Sequence, residues 1–145
     1  MTGISLISAN ANISAAIAKG REMQLNPLTV AVLDAGGHVI ALQREDGASN
    51  LRPQIATAKA AGALALGISS RKIGETAADR PSFIASLHAL APGGIIPAAG
   101  GVIVLDENGR AIGAVGVTGD LSDKDEICAF AGIEAAGLRM DEQQN

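Results

Sequence analysis

Two short segments constrain this chain more than any others. Val32-Leu33-Asp34-Ala35-Gly36-Gly37 and Val104-Leu105-Asp106-Glu107-Asn108-Gly109 each lie between two apolar, β-branched runs. In each, the aspartate can accept hydrogen bonds from its own turn, and glycine takes positive φ without a Cβ penalty. Such turns between strand-forming residues predict β-hairpins, and a hairpin forces its two strands to lie antiparallel. The predicted strands cover residues 29–33 and 38–43 in the first hairpin, and 101–105 and 110–118 in the second. Two equivalent turns account for the internal likeness without a functional repeat.

The rest of the chain reads mainly as helix. Residues 5–22 place Ile7, Ala11, Ser14, Ala15 and Ala18 at helical spacing, with Ile13 and Ile17 widening the stripe, until Asn26-Pro27 breaks it. Ser49 or Asn50 is positioned to cap a second helix with Pro53 in its first turn, which Gly67 stops after Leu66. Shorter helices are predicted from Ser69 or Ser70 to near Thr76, and from a Ser82 cap to about Leu90. Pro92-Gly93-Gly94 ends the latter, and Ile95-Ile96-Pro97 reads as a short extended piece at an edge or outside the sheet. Ser122 and Asp125 have capping-box spacing for a last helix over residues 123–138, with a frayed polar tail from Met140. The order helix, hairpin, helices, hairpin, helix predicts an α/β (α+β) fold in which helices flank a central antiparallel β-sheet.

A length of 145 residues suits a single domain over residues 1–145. Side chains are small: there are 28 Ala and 18 Gly, against 2 Phe and no Tyr or Trp. Each buries little apolar area, so assembly into a homo-oligomer, a dimer or larger, is the expected way to enlarge the core. The single cysteine excludes an internal disulfide and thiolate-rich metal clusters. The net charge of −4 and the scarcity of aromatic groups argue against a nucleic-acid partner. No apolar run approaches the roughly 18 residues of a membrane span, and no signal peptide is visible. A cytoplasmic location is the expectation.

Lys59 is the most unusual residue, the only charged side chain between Pro53 and Ser70. It shares a helical face with Ile55, Gly62 and Leu66. An ammonium on a packed face needs a partner or a cavity, so Lys59 reads as an anion binder or as a lysine at the core boundary. Arg44, at the end of a strand, can grip a carboxylate through its planar fork or pair with Glu45 and Asp46. Asp34 and His38 set an acid and an imidazole at the mouth of the first hairpin, fit for proton transfer or ligation. Gly116 lets a planar ligand approach the backbone and Thr118 offers a hydroxyl, while Glu126 and Glu134 are the acids that a pocket would explain. Arg80, His88 and Cys128 are weaker candidates, and Pro92–Gly94 with Ile95-Ile96-Pro97 reads as a lid or an intersubunit rim. Asp120, Asp123, Asp125 and Glu126 crowd the last helix's N-terminus, and the glycine spacing fits neither a dinucleotide fingerprint nor a Walker loop. No metal-ligand cluster is visible.

Taken in order, Val32–Gly37 with His38, Arg44 with Asp46-Gly47-Ala48, Lys59-Ala60, Gly93-Gly94-Ile95-Ile96-Pro97, the run from Gly109 to Gly119, and Asp125-Glu126 with Cys128-Ala129 resemble the GlcG/HbpS-like family. That family includes the carboxy-terminal domain of PduO-type corrinoid adenosyltransferases, and the resemblance covers roughly residues 5–138. It implies profilin-like layering, assembly into dimers or larger oligomers and, in some members, haem binding. Other members sit beside pathways for small organic acids or diols. It also implies that the Asp34–His38 turn, Arg44, Lys59 and the Gly113–Gly119 strand end border a cleft. The PduO-type domain carries its haem-ligating histidine in the first helix, where residues 5–22 here have none.

The resulting expectation is a small-molecule or cofactor-binding protein, with an anionic ligand and haem as the named cofactor. His38, Lys59, Gly116, Thr118 and Glu126 are the expected contacts. The alternative is a cofactor-independent isomerase, lyase or decarboxylase acting on a small carboxylate or keto acid. In it Lys59 and Arg44 bind the anion, and His38 or Asp34 moves a proton. A third reading is an accessory subunit in which none of these residues is special.

Overall fold

A computed structural model describes residues 3–141. Its elements are α1 (Leu6–Glu22), β1 (Thr29–Asp34), β2 (Val39–Arg44), α2 (Arg52–Leu66), α3 (Ser70–Asp79), α4 (Pro81–Leu87), β3 (Gly101–Leu105), β4 (Ala111–Thr118), α5 (Ser122–Ala135) and β5 (Arg139–Met140). The strands form one sheet in the order β2-β1-β4-β3-β5, and every neighbouring pair is antiparallel. Both predicted hairpins form. Gly37 and Gly109 take φ of 85° and 79°, and Asp34 and Asp106 each accept two backbone N–H bonds within their own turns.

Strand periodicity sorts the core into two layers. Val30, Val32, Val102, Val104, Val115 and Val117 face α1 and α5, where Ile13, Ala16, Cys128, Ala129 and Ile133 complete the larger core. Leu33 and Ala114 face the other way and pack on Ala60 and Ala61 of α2. β1 is covered on both sides, whereas β2 is an edge strand and partly exposed. Ile73, Ile84 and Ile95 form a satellite cluster that anchors α3 and α4.

Glycine sets how closely α2 approaches the sheet. A Cβ on Gly116 would run into the Ala56 carbonyl, and one on Gly101 into the Lys59 carbonyl. The helix therefore lies in backbone contact with β4 and β3. The same contact leaves no room beneath α2 for the planar ligand that Gly116 suggests from sequence.

Several expectations need correction. α1 forms where predicted, with Ser5 Oγ accepting from the Ser8 N–H, but its buried face is Ala9, Asn12, Ile13, Ala16 and Gly20. Ile7, placed on the apolar stripe from sequence, is 84% exposed. Ala and Ser contrast too little in hydrophobicity to fix the phase of a helix. Neither Ser49 nor Asn50 caps α2, which starts after Leu51 without a side-chain cap. α3 runs on to Asp79, and α4 starts at Pro81 and stops at Leu87. The Ser122–Asp125 box does not form: Leu121 is the cap residue, and the Asp125 carboxylate turns into the core. α5 stops at Ala135, and Met140 is no frayed tail, since it pairs with Val104 in β5. The rest of the expected tail, from residue 142, lies outside the described residues. Ile95-Ile96-Pro97 forms no strand, and Ile95 is buried beneath α3 and α4.

Replacing Gly116 by Ala forces α2 away from β4. Such overpacking costs about 1–3 kcal/mol, so G116A is expected to melt several degrees below the parent in a thermal scan followed by circular dichroism. An unchanged melting temperature would contradict the backbone contact.

Candidate functional site

Lys59 does turn inward, and its side chain is 3% exposed. Its Nζ donates to the Val117 carbonyl at 3.0 Å and to Asp125 Oδ2 at 3.3 Å. The pair joins α2, on one face of the sheet, to α5, on the other, past the end of β4. Asp125 Oδ1 accepts from the Asp120 N–H at 3.0 Å, so both carboxylate oxygens are engaged. Burial pulls the Lys59 pKa down from its usual value, and the Asp125 charge opposes that shift. Burial pushes the Asp125 carboxyl up, opposed by Lys59. In this arrangement the ammonium is held by protein groups and faces no open cleft.

Two further polar contacts fix the same end of the molecule. Arg52 Nη1 donates to Thr118 Oγ1 at 2.7 Å. Arg71 of α3 grips Glu126 with three contacts, Nε–Oε1 at 2.9 Å, Nε–Oε2 at 3.1 Å and Nη2–Oε1 at 2.8 Å. The Glu126 side chain is 4% exposed, so its burial is explained by this partner. Arg52 and Arg71 carry no local sequence signal, and their partners lie 66 and 55 residues away in the chain.

The first hairpin presents a different environment. Asp34 Oδ1 accepts from the Gly36 and His38 backbone N–H groups, both at 2.9 Å, and lies 3.3 Å from His38 Nδ1. The backbone N–H of His38, followed by that of Gly36 and the nearby imidazole, holds the Asp34 carboxyl below the usual carboxylate range. The His38 ring is exposed, and its Nε2 has no hydrogen-bond partner among the described residues. Fixing one ring nitrogen on a carboxylate leaves the other as a directed acceptor or metal ligand. His38 lines a cavity of about 340 Å³ together with Ala35–Gly37, Ala61, Leu64 and Ala65 of α2, and Pro92–Gly94. The floor is apolar helix, and the walls are two glycine-containing loops. Gly93 is seated so close to Ala61 that any side chain there would clash.

The candidate residues therefore fall into separate places. Asp34 and His38 stand together at the first turn and border this cavity. Arg44 sits at the far end of β2, its Nη1 3.3 Å from Asn50 Oδ1. Lys59, Gly116, Thr118 and Glu126 do not line the cavity. The Arg80 guanidinium lies over the Phe83 ring, 4.1 Å from its centroid. His88 and Glu134 are exposed. Cys128 is buried in the main core, and burial raises its thiol to about 11, which suits a packing residue.

A match over residues 4–134 to the model of the family described as haem degrading protein HbpS-like places the chain in the HbpS-like family, to which it belongs. It is thereby a small-molecule or cofactor-binding protein of that class. Among solved structures, PduOC in complex with haem superposes with a TM-score of 0.84 at 21% identity, over 97% of this chain and 99% of that one. The Klebsiella pneumoniae protein ORFY gives 0.83 at 26% identity over 94% and 92%, and HbpS gives 0.79 at 26% over 92% and 90%. No curated protein sequence matches significantly.

Removing one member of a buried ion pair strands the other charge, at a cost of about 3–5 kcal/mol. K59M is expected to lose stability on that scale in urea unfolding, and K59M/D125L to recover much of the loss. A K59M protein as stable as the parent would contradict the pairing. Asp34 and Asp120 have pKa values below the usual 3.8, because backbone N–H groups bond their charged forms. Their stabilisation is present above that value and is lost as pH falls through the lower folded-state values. D34N and D120N are accordingly expected to flatten the acid limb of the melting profile below about pH 4. An acid limb as steep as the parent's in both variants would count against these bonds.

Proposed function

We propose that this chain binds a small cofactor in the cavity beside His38, with haem as the ligand. The observation that carries the proposal is the Asp34–His38 pair at the cavity mouth, which leaves Nε2 without a partner beside an apolar floor. The cavity lies within the range of about 300–1,000 Å³ common for ligand sites. The family's description as haem degrading and the solved PduOC–haem complex support the choice of cofactor. α1, Leu6–Glu22, contains no histidine, and of the two histidines in the chain His38 lines the cavity whereas His88 does not. The residues present suit one edge and one face of an iron porphyrin, which is larger than the cavity and would extend beyond its mouth. His38 would ligate the metal, Asp34 would hold the imidazole in the correct tautomer, and Ala61, Leu64 and Ala65 would support the ring. Bound haem supplies a redox-active iron with an imidazole ligand.

In this reading Lys59, Gly116, Thr118 and Glu126 act at one remove, by fixing α2 and α5 around the sheet. The ligand is anionic through its propionates. The enzymatic alternative draws less support, because the Lys59 ammonium is already paired with Asp125 and Arg44 lies away from His38. The exposure of Ile7, Leu51, Leu90 and Leu121 supports self-association. No helix among the described residues is long and apolar enough to cross a membrane.

Titration of the apo-protein with hemin is expected to develop a Soret band characteristic of a ligated haem. H38A is expected to lose that band while keeping its far-ultraviolet spectrum, and D34N to weaken affinity about 10–100-fold. An H38A titration indistinguishable from the parent's would overturn the assignment.

A further inference from the structure

We propose that Arg44 and Arg52 form a clamp for a small dicarboxylate at the end of the sheet remote from the Asp34 turn. This site is independent of the His38 reading. The pairing register sets Arg44 opposite Thr29 and Thr29 opposite Thr118, so the three side chains share one face of β2, β1 and β4. That face is the one covered by α2, because Thr118 Oγ1 accepts from Arg52 Nη1 at 2.7 Å. Asn50 closes the ring by accepting from Arg44.

Three features of this ring call for an anion. Neither guanidinium has a carboxylate within 4 Å among the described residues; Arg44 bonds only to Asn50, and Arg52 only to Thr118. Of the neighbouring acids, Asp46 forms no ion pair with Arg44, and the other three are engaged elsewhere. Glu45 pairs with Arg21 at 3.3 Å and accepts from the Leu28 N–H at 2.8 Å. Asp120 accepts from the Asn26 and Leu121 N–H groups, and Asp125 is held by Lys59. Between the two arginines, the Thr29 hydroxyl is fully buried and has no hydrogen-bond partner. Buried hydroxyls are rarely left unbonded, so this one marks a place that calls for an acceptor.

The spacing selects the class of ligand. Adjacent strands lie about 4.8 Å apart, so the Arg44 and Thr118 positions are separated by roughly 10 Å across Thr29. Each guanidinium presents a planar fork suited to one carboxylate. With Arg52 bonded to Thr118, two forks carried at the ends of this span suit a short-chain diacid, one carboxylate on each. A single carboxylate would leave one fork unused. The Arg44 side chain is exposed and Arg52 half-buried, so both can be reached from solvent.

Isothermal titration calorimetry with succinate and malonate tests the clamp, with acetate and inorganic phosphate as comparison ligands. Saturable one-to-one binding of a diacid is expected, weakened at least tenfold in R44Q and in R52Q. R110Q removes the same charge at the other end of the sheet and is expected to bind as the parent does. R44Q alters an exposed side chain, so it remains informative if R52Q fails to fold. The proposal is overturned by an absence of saturable diacid binding, or by equal affinity in R44Q and the parent. Acetate binding as tightly as succinate would overturn the two-fork geometry. Phosphate binding more tightly than either diacid would overturn the ligand class.

Discussion

The ends of this fold are held by one buried charge pair. Lys59 reaches from α2 past the end of β4 and meets Asp125 on α5, so a single ion pair ties together layers on opposite faces of the sheet. The close seat of α2 makes this possible. With Gly116 and Gly101 beneath the helix backbone, the lysine stem is near enough to the strand ends for its ammonium to reach the Val117 carbonyl. A side chain at either glycine would lift the helix and pull the ammonium out of reach. The pair is costly to desolvate, and its two hydrogen-bonded neighbours, the Val117 carbonyl and the Asp120 N–H, offset part of that cost.

This scaffold leaves the candidate binding groups at the rim. The buried lysine fixes α2, α2 supplies the Ala61–Ala65 floor, and the first hairpin lays the Asp34–His38 pair beside that floor. The opposite rim gathers Arg44, Arg52, Thr29 and Thr118 around the first turn of the same helix. α2 thus supplies one side of each candidate site, and its position is set by backbone contact rather than by large side chains. A chain with two phenylalanines and no tyrosine or tryptophan has few other means of fixing a helix so firmly.

Much of the architecture is legible in the sequence, because turns and breakers are local signals. The Asp34 and Asp106 turns mark both hairpins, and Pro53 with Gly67, whose φ is 73°, brackets α2. Lys59 stands out because a lone charge in an alanine helix requires an explanation. What escapes is whatever depends on long-range pairing. The spacing of Ser122 and Asp125 has the form of a local cap, yet Asp125 answers Lys59 instead. Arg52 and Arg71 look like ordinary surface arginines until their distant partners are seen. The buried face of α1 escapes as well, since alanine and serine alternate around the helix and Asn12 lies on the inside against Gly132. Arg44 and His38, only six residues apart, are carried by β2 to opposite ends of the sheet, a separation that strand length alone determines.

The most direct test of the central claim is a crystal structure of the chain grown with haem. The account predicts iron density within bonding distance of His38 Nε2, with the porphyrin lying over Ala61 and Leu64 and the Lys59–Asp125 pair intact beneath α2. A porphyrin seated elsewhere on the chain, with His38 bound only to Asp34, would contradict it.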